Sequence, residues 1–438
     1  MIRTIARLIF AVVIATLPQT PSAQEVQFGP NLRSLDFADV FDTASSPERT
    51  KMWTALFARG VTDLVISQAL ISPYTPARTA RKRGTYLSDK DLENLSGVLS
   101  DGNSRDFDLT YISGYGLSDQ ACASSADPTE VGRNAANWEY ENIVSRLLQK
   151  GIPIHSVNVD GPFLRVIAHS TKGFSCGVGR HGGFNAAQSA RIVIVYMKQL
   201  RNLINLHPAN TGVDVQMALL FNLPNWAIAG DPAIHSAGPT GDLVNDVMMK
   251  FSAELSADAR SVKPLVVDGV AFDYPYVLVT ANEPVFKRKT MHVLNRLKTF
   301  PPHARNPVLT FITNTAYRHP LSISQGDLQG TAPCVWQANK IISIKQIPYL
   351  PYEGKNGVTI PSGCVEAQEA VDQGYWDAAF DFADRLRRPY TDPRSLRARG
   401  MQDHDIRATM FLSWFATPVS TLSSIEKTID YIDRLDPN

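Results

Sequence analysis

The chain has 438 residues, 44% of them hydrophobic and 19% charged. That is enough apolar material for a large core and excludes both a disordered tail and a disulfide-knotted mini-protein. The formal charge of +1 is spread without any Lys/Arg block, which argues against nucleic acid as the main partner, because counterion release needs a clustered basic surface.

Residues 1–23 read as a secretory signal. Arg3 and Arg7 supply a positive n-region, Leu8 to Leu17 an unbroken apolar run, and Pro18 to Ala23 a small-residue exit. Cleavage there removes two cations and no acid, taking the charge from +1 to −1. The other reading is a retained N-terminal anchor, against which the apolar run is short for a bilayer. The expectation is a secreted or periplasmic protein with no transmembrane anchor after cleavage. Past the leader, no long uncharged apolar run argues for a multi-span membrane protein.

Residues 24–60 read as an N-terminal extension ending in a helix near Pro47–Arg59, and 61–438 as one domain. Within it, short β-rich runs alternate with amphipathic helices. The first predicted strand is Asp63–Gln68, followed by a helix over Ser88–Leu99 that opens on a capping-type Ser with Asp91 three residues on. The second strand is Leu109–Tyr115, and helix Asn137–Gln149 leads to the third, Ile152–Asp160. Helix Asn185–Leu206 precedes the fourth strand, Val213–Leu223, and helix Asp242–Leu255 the fifth, Leu265–Tyr274. Helix Val285–Leu297 leads to the sixth strand, Pro307–Asn314. Then come a helix over Ala332–Ile342, a seventh strand near Lys345–Tyr352, a helix over Tyr375–Arg387, an eighth strand over Thr409–Phe415 and a last helix, Ile425–Leu435.

Eight strand–helix units in strict alternation predict an α/β fold, a single (β/α)8 TIM barrel with long loops at its C-terminal face. A doubly wound open sheet is the structural alternative. The four cysteines, Cys122, Cys176, Cys334 and Cys364, are an even set in an exported chain, and their spacings match no zinc pattern. The barrel brings Cys122 near Cys176 and Cys334 near Cys364 on neighbouring loops, so two disulfides are expected in that pairing. No metal and no cofactor is expected, since neither HExxH nor an HxH after the first strand occurs.

Catalytic groups of this fold sit where strands end. The third predicted strand puts Ser156, Asn158 and Asp160 on one face, and the fifth puts Val267, Gly269, Ala271 and Asp273 on one face. Two carboxyls, Asp160 and Asp273, therefore converge at the mouth from strands two apart, which is what glycoside hydrolysis requires. Asp-Gly at 160–161 is also a good turn, and Asp268 reads as a structural residue at the base of its strand.

The run DGVAFDYPY at 268–276 resembles the strand-end signature of TIM-barrel glycoside hydrolases. It is similar to the DGxDxDxE of family 18 chitinases and to the looser DGVxxD of other polysaccharide hydrolases. Asp268, Gly269 and Asp273 match, whereas Ala271 replaces the middle Asp and Pro275 stands at the chitinase proton-donor position. The resemblance implies a TIM-barrel glycoside hydrolase of no assigned family. The commonest barrel glycosidases place an acid after strand four and a nucleophile after strand seven. The fourth predicted strand ends in Asn222, and Glu353 follows the seventh as the reserve for Asp160.

Sugar sites pair flat apolar faces with hydrogen-bonding groups. Trp226, Tyr274, Tyr276 and Trp414, with Asn158, Asn222, Asn314 and the loop residue His181, are the candidate substrate-binding residues. His155 reads as a satisfied core histidine. GFSCG at 173–177 matches the GxSxG elbow of serine esterases without its strand-and-helix context. The favoured expectation is an exported glycosidase acting on a poly- or oligosaccharide through two carboxyls. A non-catalytic glycan-binding barrel and an ester hydrolase using Ser175 are the alternatives.

Overall fold

The computed structural model describes residues 25–31, 34, 36–61, 63–74, 86–100, 107–118, 125–167, 184–231, 242–314, 362–404, 406–414, 418 and 420–435. Eight parallel strands close into a barrel in chain order. They are β1 (Glu25–Phe28), β2 (Asp63–Ser67), β3 (Asp108–Ser113), β4 (Ser156–Asp160), β5 (Gln216–Asn222), β6 (Gly269–Asp273), β7 (Val308–Ile312) and β8 (Ile406–Phe411). The chain has the TIM-barrel fold.

The count of eight holds, but its membership shifts by one. The segment expected to be an extension supplies β1, which pairs with β2 on one side and β8 on the other. The barrel thus begins at Glu25 rather than after residue 60, and the first six predicted strands are β2 to β7. The predicted strand at 345–352 and the helix at 332–342 lie outside the described residues. The barrel closes without them, because β7 pairs directly with β8.

The outer layer comprises α1 (Pro47–Ala58), α2 (Asp89–Leu99), α3 (Pro128–Glu139), α4 (Ser145–Gln149), α5 (Ala186–Asn205), α6 (Leu243–Asp258), α7 (Tyr276–Ala281), α8 (Glu283–Leu297), α9 (Ser362–Arg387) and α10 (Thr421–Leu435). The capping box at α2 is formed: Ser88 Oγ accepts from the Asp91 N–H while Asp91 Oδ2 accepts from the Ser88 N–H. Asn185 and Gln188 make the same reciprocal pair at the start of α5. Between α3 and α4 the helix widens into a π turn over Tyr140–Val144. Among the described residues no helix is long and apolar enough to cross a membrane.

Alternation along the strands sorts their side chains into two sets. Leu64 and Ile66 of β2 join the large core beneath the helices, while Val65 between them joins a smaller cluster with Ile112, Leu220, Ala271, Ile312, Met410 and Leu412. Those residues come from β2, β3, β5, β6, β7 and β8, with Leu412 just past the last, and form an apolar layer across the lumen. Below it, toward the strand starts, lies a polar cavity of about 430 Å³. Above it lie the strand ends.

Cys122, Cys176 and Cys334 lie outside the described residues, and Cys364 falls in the first turn of α9, where only the backbone is described. Both expected disulfides therefore lie outside the described side chains.

Candidate active site

β6 is buried along its whole length and ends in Asp273, whose register neighbours are Asn222 on β5 and Ile312 on β7. Asn222 Nδ2 donates to Asp273 Oδ2 at 3.1 Å. The carboxyl is only 3% exposed, and its second oxygen, Oδ1, is buried with no hydrogen-bond partner among the described residues. Burial first, and then the negative charge of Asp160, push its pKa up to about 7. The amide of Asn314 and the indole N–H of Trp414 oppose that shift. The Trp414 Nε1 nevertheless completes no hydrogen bond among the described residues, so we take the indole as a neighbour of the acid rather than a bonded partner.

Asp160 ends β4 and is held by Arg165, five residues on. One guanidinium nitrogen pairs with Asp160 Oδ2, and Nε donates to the Asp160 carbonyl at 2.6 Å. The remaining terminal nitrogen donates to Ser118 Oγ at 2.7 Å, in the loop after β3. Gly161, at φ +54°, makes the turn that brings Arg165 back over the strand end. The turn expected of Asp-Gly is thus formed. Gly114, at φ +135°, leaves the space Arg165 occupies: a Cβ there would stand 3.0 Å from Arg165 Nε and from the Asp160 carbonyl.

Behind this loop Glu139 is fully buried at the end of α3. It accepts from Tyr111 Oη at 2.6 Å and from the Gly114 and Gly116 backbone N–H groups, while burial raises its pKa. Sequence reasoning misses both Arg165 and Glu139. The signal for Glu139 is its spacing: Val131, Ala135 and Glu139 fall every fourth residue on the buried face of one helix.

The structure gathers Asp273, Asp160, Asn222, Asn314 and Trp414 at the C-terminal mouth. Asn314 is buried just past β7, and its carbonyl accepts from the Tyr276 N–H at 2.9 Å. Trp414, half-buried past β8, packs against the apolar layer of the lumen.

Three predicted aromatic platforms are corrected. Trp226 is 1% exposed and belongs to the core, with its carbonyl accepting at 2.6 Å from the buried Lys289 Nζ that also ties down Leu223. Tyr274 is buried edge-on to Phe286. Tyr276 stacks on Phe382, and its hydroxyl donates to Asp381 and accepts from Arg385. None of the three offers a free ring face. Asn158 is also displaced from its expected place: it lines the lower cavity, beneath the apolar layer.

Asp268 is at the strand base as expected, its Oδ2 accepting from the Met217 N–H at 2.8 Å. His155 is satisfied, its Nδ1 accepting from the Leu109 N–H at 3.1 Å and its Nε2 lying 3.2 Å from Asp108, but at the N-terminal face and half-buried. Glu353, His181 and Ser175 lie outside the described residues. With β1 counted, Asp160 is the residue ending the fourth strand, Asn222 ends the fifth, and Glu353 falls in the connection between β7 and β8. Among the described residues no cluster of His, Cys, Asp and Glu could hold a metal ion.

No protein-family model matches this chain, and no curated protein matches it. Among solved structures it is similar to a sugar phosphate isomerase/epimerase from Parabacteroides distasonis, at 9% identity, covering 95% of this chain and 97% of that one with a TM-score of 0.33. A likeness of that degree carries no chemistry across.

Proposed function

We propose that the chain is an exported glycosidase, with Asp273 the proton donor and Asp160 its anionic partner. One observation carries the reading: a fully buried carboxyl at a barrel strand end, one oxygen unpartnered, with its pKa raised to about 7 beside a second carboxyl. An acid of that pKa holds its proton near neutrality and gives it up to a leaving oxygen. Asp160, oriented by Arg165, faces the positive charge that develops at the anomeric carbon as the glycosidic bond breaks; water then adds to that carbon and gives its proton to Asp273. The charge of Asp160 also favours that reprotonation of Asp273, because two carboxylates so placed resist joint ionisation. Trp414, the one predicted platform that keeps partial exposure, would take the apolar face of a sugar ring.

The test is reducing-end release from a panel of bacterial and plant polysaccharides, comparing wild type with Asp273→Asn. Release by wild type and its loss in the variant is the expected result. Equal release by both removes Asp273 from the chemistry and defeats the reading.

A further inference from the structure

The cavity below the apolar layer is a polar space at the strand starts, and its lining is unbalanced. Glu25 pairs with Arg407 at 3.1 Å and Asp108 with His155 at 3.2 Å. Asp63, Asp214 and Asp268 also line the cavity, and none has an ion-pair partner among the described residues. Asp63 receives only long contacts from neutral donors, Gln27 Nε2 at 3.3 Å and Thr110 Oγ1 at 3.4 Å.

Two further lining residues point to a ligand independently of the charges. Asn158 is 6% exposed and Thr310 9% exposed, yet neither side chain has a hydrogen bond among the described residues, and both face the cavity. Gln27 adds a buried carbonyl oxygen, Oε1, that is likewise unpaired. Buried polar groups are normally satisfied, and leaving one unpaired is costly. A carboxyl held only by long contacts, beside side-chain oxygens that accept nothing, describes the surroundings of a cation that brings its own N–H donors. About 430 Å³ is room for a small organic molecule, and the absence among the described residues of a metal-type ligand cluster argues against a bare divalent ion.

We propose that this cavity binds a small organic cation bearing a primary ammonium group, held by Asp63 with Gln27, Asn158 and Thr310. The site lies at the opposite end of the barrel from Asp273 and does not depend on what that residue does. Binding replaces the missing donors to these acceptors and offsets the excess negative charge. A quaternary ammonium of similar size carries the charge but no N–H, so it loses most of the affinity.

The experiment is isothermal titration calorimetry of the full chain at pH 7.5 with putrescine and ethanolamine as probes and tetramethylammonium as control. It is run on wild type, Asp63→Asn, Thr310→Val and Asp273→Asn. The expected result is saturable binding of at least one primary amine, weakened tenfold or more by Asp63→Asn and several-fold by Thr310→Val, and unchanged by Asp273→Asn. Thr310→Val keeps the side-chain shape, so it carries the test if Asp63→Asn does not fold. Absence of heat with both amines overturns the proposal. Equal affinity for tetramethylammonium also overturns it, as does binding that survives both cavity variants or disappears in Asp273→Asn.

Discussion

The two ends of the barrel lumen hold the same kind of residue in different settings. At the strand starts Asp63 is pushed up to about 6 by burial and the nearby Asp108; at the strand ends Asp273 is pushed up to about 7 by burial and Asp160. A raised carboxyl pKa therefore does not by itself separate the ends. What separates them is the neighbour. Asp160 is fixed by a guanidinium from its own loop, itself anchored on Ser118 in the next loop, whereas Asp108 is paired with a histidine at the edge of solvent. The upper pair has one carboxyl clamped by a guanidinium beside a buried one, and the lower Asp63 has only long contacts from neutral donors. The apolar layer lies between the two settings.

The sharpest way to break this contrast is to remove one acid from each end. Asp273→Asn is expected to lower glycan turnover on the order of 10³-fold or more, the loss typical of removing an acid/base group. Asp63→Asn is expected to leave turnover within about twofold. A variant pair with the reverse ranking would move the active site to the lower cavity.

A second contrast concerns the aromatic residues. Trp226 is core, so Trp226→Ala should destabilise by about 3–5 kcal/mol in chemical denaturation. Trp414→Ala, at the half-buried mouth, should cost less stability and mainly weaken substrate binding. Equal stability losses would mean that the mouth is as closed as the core.

Those aromatics mark the limit of what the sequence discloses. Asp160 and Asp273 are legible because period-two alternation fixes which face a strand residue takes, and the strand end then fixes its height. Trp226, Tyr274 and Tyr276 follow strand ends in loops, where no periodicity distinguishes a ring facing solvent from one facing the core. Trp226 is buried in the core, and its backbone carbonyl is held by Lys289 on a distant helix, a contact between residues more than sixty positions apart. Glu25–Phe28 alternates like a strand but spans only four residues. Beside a leader, and without a preceding helix to set the rhythm, so short a run does not stand out, and its omission shifts the next six strands by one. Asn158 shares a face with Asp160, as the alternation predicts, yet two residues along a strand is about 7 Å, enough to place it on the other side of the apolar layer.

The upper acid also leaves a mark on stability that does not require a substrate. Asp273 has a folded pKa of about 7 against an ordinary 3.8, so between those values the folded chain holds a proton that the unfolded chain has released. Stability should fall as pH rises through that window and level off above it, a loss on the order of 4 kcal/mol across the whole window. Asp273→Asn, which cannot ionise, should remove that slope and be the more stable protein at pH 8. Parallel curves for wild type and variant would show that the carboxyl ionises freely in the folded chain.

The smallest effect tests the clamp. Arg165 lies against Asp160, and its cation partly cancels the negative charge that Asp160 projects onto Asp273. With Arg165→Gln the carboxylate keeps its place at the end of β4 but loses that compensation, so protonated Asp273 is favoured further. The alkaline limb of the pH–rate profile should then move upward by a fraction of a pH unit, at most about one, while the maximum rate falls because Asp160 is less firmly aimed. The direction is what discriminates. An unmoved limb with a reduced maximum rate would make Arg165 a purely geometric support. A limb moving downward would mean that Asp160 leaves its place beside Asp273 once the guanidinium is gone, relieving the like-charge pressure on that carboxyl.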